Sequence, residues 1–95
     1  MRELAELRAE LDMIDKEIVR LFEKRMGVSR EVAAYKQANS MNVLDASREE
    51  QVLASRAAMV SDPHWADSVR TLFTDVMRIS RAEQERFLKE AQGDA

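Results

Sequence analysis

Cysteine is absent from the 95-residue sequence, so it offers no disulfide, no thiolate nucleophile and no cysteine-type zinc site. A single histidine, His64, excludes a multi-histidine metal centre or relay, so zinc and redox chemistry drop out. One proline and two glycines leave few chain breakers, and aromatics at 5% are too sparse for a strand-rich fold. These deficits predict an all-α chain. No apolar run approaches the ~18 residues of a membrane span, and the charged opening Met1-Arg2-Glu3-Leu4 lacks the apolar centre of a secretory signal, so cytoplasmic placement is the expectation. Basic residues number 15 against 18 acidic ones, a net charge of −3, which argues against a general nucleic-acid binder. Any anion must be held locally.

What is present is 45% hydrophobic and 35% charged, the composition of one soluble domain, expected over residues 1–92 with residues 93–95 as a frayed tail. Leu4, Leu7, Leu11, Ile14, Ile18, Leu21, Val28, Val32 and Tyr35 recur at helical steps and predict one long helix from about Arg2 to Asn39. At 1.5 Å per residue it is roughly 55 Å long. A compact chain of this size has a diameter of only about 30 to 35 Å. The helix therefore overhangs, and an apolar overhang needs a partner: a homodimer with the long helices side by side is expected, a kink near Gly27 being the alternative. Asn39 to Asn42 supply a turn, after which Asp45 or Ser47 caps a second helix to about Val60, with Ser47 and Glu50 fitting a capping box. Ser61-Asp62-Pro63 then opens a third helix with the inward stripe Val69, Leu72, Phe73, Val76, Ile79 and Phe87.

Polar residues on these stripes carry the functional signal. Arg25 stands where the seam calls for leucine, and a buried guanidinium demands an anion, whether an internal carboxylate such as Asp15 or Glu49 or a ligand. Lys36, eleven residues on, lies about 20° around the axis and about 16 Å along it, so both cations can line one slot. Arg8 is about 25 Å from Arg25 along the helix, too far to grip the same small molecule unless a second chain brings it. Ser80 and Gln84 share a face of the third helix, as they would on an ordinary solvated edge. Glu49 can be a dipole-favoured first-turn acid, with Arg48 equally bland. His64 reads as a surface residue, Trp65 as a cover for the bundle end, and the charged run from Arg78 to Glu90 as a solvated face.

The ordered set Leu7-Arg8, Asp15, Arg25, Lys36, Val43-x-Asp45-x-x-Arg48-Glu49 and Ser80-x-x-x-Gln84 resembles the all-helical (type II) chorismate mutases over Leu4 to about Phe87. The resemblance implies an intertwined homodimer of three-helix chains that converts chorismate to prephenate, in the shikimate pathway, by an intramolecular Claisen rearrangement without cofactor or metal. It matches Arg25 and the partner chain's Arg8 to the arginines that hold the substrate carboxylates, and Lys36 to the lysine that contacts a carboxylate and the ether oxygen. Gln84 matches the second ether-oxygen donor, Glu49 the acid on the ring hydroxyl and Ser80 a carboxylate contact. Asp45 and Arg48 match residues closing the pocket from the loop side.

Two related activities fit less well. Isochorismate pyruvate lyases share the fold and its cations but lack acids and serines matching Glu49 and Ser80. Mutases of 4-amino-4-deoxychorismate depart from the Asp45-x-x-Arg48-Glu49 pattern. A third possibility, a non-catalytic helical dimerisation module, needs only the seam and would pair its cations internally. Docking onto another enzyme of the shikimate pathway is left open by the sequence.

Overall fold

A computed structural model describes residues 1–93. It contains three α-helices, α1 (Leu4–Ala38), α2 (Ala46–Ala57) and α3 (Ala66–Gly93), with a single 3₁₀ turn at Pro63–Trp65 leading into α3. No strand is present among the described residues, in line with the all-α expectation. Gly93 is the last residue of α3, and the rest of the expected tail, Asp94 and Ala95, lies outside the described residues. No described helix is long and apolar enough to cross a membrane.

α1 is continuous through Gly27, because one helical glycine costs only about 1 kcal/mol relative to alanine and removes no hydrogen bond. The helix ends where Asn39 folds its side-chain amide back onto the Tyr35 carbonyl (2.9 Å). Ser40 then adopts φ 54°, the left-handed region. The Ser40 and Met41 N–H groups donate to the carbonyls of Gln37 (3.2 Å) and Lys36 (2.7 Å), the paired bonds of a Schellman stop with serine where glycine is usual. Ser40→Gly is expected to stabilise the fold by up to about 1 kcal/mol by removing the Cβ penalty, read as a rise in the urea midpoint at unchanged m.

Asp45 caps α2, its carboxylate accepting from the Arg48 N–H at 3.0 Å. The Ser47–Glu50 capping box does not form: the helix starts at Ala46, so Ser47 is already helical when Asp45 takes the orphan N–H. α2 also stops at Ala57, three residues short of the predicted end. Asp62 caps the 3₁₀ turn by accepting from the His64 N–H (2.9 Å), with Pro63 leading the turn. Trp65 does not cover the bundle end; it is 55% exposed, its ring edge against His64.

α3 is the central element and packs on both α1 and α2. Its buried face is Met77, Ser80 and Gln84, meeting Met26, Ser29 and Ala33 of α1 and Val52 and Ala57 of α2. The predicted stripes coincide with this core only in part: Val69, Phe73, Val76 and Phe87 of α3 are half-buried. Leu72 (56%) and Ile79 (37%) are exposed, and every residue of the predicted α1 seam from Leu4 to Tyr35 is exposed as well. The reason is length. α1 outruns the elements that fold back on it, giving principal extents of 59 × 29 × 14 Å and a radius of gyration of 17.0 Å, against about 12 Å for a compact chain of this size.

Candidate functional site

One face of the distal half of α1 presents Arg25, Val28, Ser29, Val32 and Lys36 to a cavity of about 290 Å³. The opposite wall is α3, through Met77, Ser80, Arg81 and Gln84. The chain leading into α2, with its first turns, closes the third side through Val43, Asp45, Arg48, Glu49 and Val52. Seven of the eight residues singled out in the sequence therefore line one space. Arg8 does not: it is exposed near the far end of α1, about 25 Å from Arg25 along the axis.

The electrostatics follow from who pairs with whom. Among the described residues no carboxylate comes within ion-pair distance of Arg25, so neither Asp15 nor Glu49 pairs with it. Glu49, one of its candidate partners, is held instead by Arg81 from α3, with Nη1 2.6 Å from Oε2. Burial, and then repulsion by Arg56 and Arg48, pull the Arg25 guanidinium below its ordinary pKa. Lys36 Nζ donates to the Val43 carbonyl at 2.7 Å. That bond ties α1 to the connection ahead of α2 and leaves two ammonium N–H groups for another acceptor. The lining carries four cations (Arg25, Lys36, Arg48 and Arg81) and two acids (Asp45 and Glu49), a local excess of positive charge inside an acidic chain.

The floor is neutral and buried. Gln84 Nε2 donates to Ser29 Oγ at 2.8 Å, and Ser29 Oγ is in turn hydrogen-bonded to Ser80 Oγ. Gln84 Oε1 is buried with no partner among the described residues. Ser80 and Gln84 thus leave no room for the solvated-edge reading, since both are buried. At the rim, Arg48 is exposed and donates to Gln51 Oε1 at 2.7 Å.

Ser29 and Arg81 escaped the sequence reading. Ser29 had a signal, a hydroxyl four residues after Arg25 and seven before Lys36, on the face those two define. Arg81 had none, because it sits inside the charged run from Arg78 to Glu90. That run is only partly a solvated face: Arg81 turns in to Glu49, and Glu83 is half-buried between Arg30 of α1 and Arg86. These two arginines hold the Glu83 carboxyl below its usual range.

Such a cavity can take a small, compact anion and can donate to more than one of its oxygens. Among the described residues its lining holds no nucleophile poised beside a base. Comparison with known proteins agrees in kind. No curated protein sequence matches the chain, but the family model for chorismate mutase type II matches residues 7–85. With well over half of its length so matched, and with an all-helical fold, the chain belongs to the type II chorismate mutase family of isomerases.

Proposed function

We propose that this cavity rearranges chorismate to prephenate by confining the dianion and stabilising charge on its ether oxygen, and that a second copy of the chain completes it with Arg8. The observation that carries the reading is Arg25, drawn into a cavity beside Lys36 with no carboxylate partner among the described residues. A dimerisation module would neutralise such a charge internally; a site for a dicarboxylate leaves it open.

In the reaction the ether C–O bond breaks while a C–C bond forms within the same molecule, so no group leaves and no proton is transferred. Confinement and electrostatics suffice. Arg25 holds one carboxylate, and Lys36 bridges a carboxylate and the ether oxygen. Gln84 donates to the same oxygen as negative charge grows there, an interaction stronger in the transition state than in the ground state. Ser80 contacts a carboxylate and Glu49 accepts the ring hydroxyl, with Asp45 and Arg48 closing the mouth. A bound dianion displaces water from this lining, so these dipoles act in a lower dielectric than bulk water.

The second copy is supported by what this chain leaves uncovered. Leu4, Leu11 and Ile18 on α1, each more than half exposed, and Trp65, Leu72 and Ile79, repeating every seven residues along the α3 limb, form apolar stripes too long for one chain to bury. Side-by-side pairing of the long helices covers them and carries Arg8 toward the partner's cavity. Cytoplasmic placement belongs to the same proposal.

Proton NMR of the protein mixed with chorismate, and separately with isochorismate, tests the activity. Prephenate is expected from chorismate, with no pyruvate from either. Release of pyruvate from isochorismate as the faster reaction would turn the reading to a lyase, and no turnover of chorismate would end it.

A further inference from the structure

Ser29 has no part in the scheme above, yet it joins the two neutral polar groups on the cavity floor. Ser29, Ser80 and Gln84 are 6%, 8% and 7% exposed, so water cannot replace a bond lost among them. The amide nitrogen of Gln84 can only donate, so Ser29 Oγ accepts from it. The Ser29 hydroxyl is then free to donate to Ser80 Oγ, its other neighbour, and the Ser80 hydroxyl to donate onward.

Resting on the chorismate reading, we infer that Ser29 is a positioning residue: it polarises a chain Gln84 to Ser29 to Ser80 so that a dianion meets donors only. An anion beside Ser80 accepts a hydrogen bond from that hydroxyl and fixes the direction of the whole chain. Anchoring one Gln84 N–H on Ser29 also fixes which end of the amide is which. The second N–H faces the ether oxygen, and Oε1 is kept from it. Without Ser29 the two ends of the amide lose their distinction, and an acceptor lies beside the developing negative charge for part of the time.

Ser29→Ala tests this, because alanine suits a helix interior and keeps the backbone bonds of α1. With folding and oligomeric state confirmed by melting and mass, kcat is expected to fall about tenfold, through Gln84, and KM to rise about threefold, through Ser80. The two effects should separate by background. In Gln84→Ala the further change Ser29→Ala moves only KM, and in Ser80→Ala it moves only kcat. A second readout needs no substrate. The Gln84 side-chain amide, assigned by its loss in Gln84→Ala, should give two slowly exchanging proton signals in the wild type that broaden or exchange away in Ser29→Ala. Wild-type kcat and KM in Ser29→Ala, an undiminished kcat loss in the Gln84→Ala background, or unchanged amide signals would each overturn the inference. If the wild type fails to turn over chorismate, the functional reading falls, while the amide signals still decide whether the chain exists.

Discussion

Arg25→Ala is expected to lower kcat/KM for chorismate by at least about a hundredfold, on the order of 3 kcal/mol, with no loss of folding stability. The two halves of that result have one cause. Removing a cation that neutralises a buried acid strands a charge and destabilises a fold. Arg25 has no such acid among the described residues; its surroundings are a desolvating wall and two other arginines, Arg56 and Arg48. Its depressed pKa means that protonation is less favourable in the folded chain than in the unfolded one, so the charged side chain opposes folding at every pH below that pKa. Truncation relieves this cost while removing the donor a substrate carboxylate needs. The melting temperature should hold or rise as activity collapses. Arg8→Ala should lose activity to a similar extent, although nothing in its own chain places it near the cavity. Activity near the wild type in Arg25→Ala, or a loss that tracks a fallen melting temperature, would remove Arg25 from the substrate.

The second large effect is expected at Gln84. Wild-type turnover should be flat across neutral pH, because the rearrangement moves no proton and the ether-oxygen donor is an uncharged amide. Gln84→Glu puts a carboxylate where negative charge develops, so the variant should be poor at pH 7. Acidification protonates that carboxyl, turns it into a donor and restores part of the rate, so activity rises as pH falls. Rates measured from pH 8 to pH 4.5, with circular dichroism at each point, check the direction. A variant that matches the wild type at neutral pH and gains nothing on the acid side would leave Lys36 as the only ether-oxygen donor.

How much of this could be read from residues alone depended on whether a signal was periodic, local or long-range. The helical class and the long α1 were legible because breakers are scarce and the apolar period is regular. The slot shared by Arg25 and Lys36 was legible because the pitch of an uninterrupted helix fixes their relative positions. Caps were less so: Asp45 and Ser47 both suit an N-cap, and only the path of the chain after Ser40 selects Asp45. The α1 stripe and two members of the α3 stripe fell outside the core of the single chain. Leu72 and Ile79 carry the same period as Met77 and Gln84, and periodicity does not say which face meets α1 and which is left bare. Arg81 was invisible because its partner Glu49 lies on another helix, and no local pattern marks an arginine that turns inward from a run of charges.

A cavity that draws one cation from each of two chains is tested directly by subunit mixing. Arg8→Ala and Arg25→Ala chains are unfolded together at equal amounts, refolded, and the heterodimer verified by native mass spectrometry before chorismate turnover is recorded. If Arg8 crosses to the partner, each heterodimer has one cavity with both lesions and one with none. Half of the refolded dimers are then heterodimers, and activity should recover to roughly a quarter of the wild-type value per chain, from two parents that are nearly inactive. Verified heterodimers with no recovery would show that Arg8 and Arg25 do not act in one cavity across the interface, and would contradict the shared site.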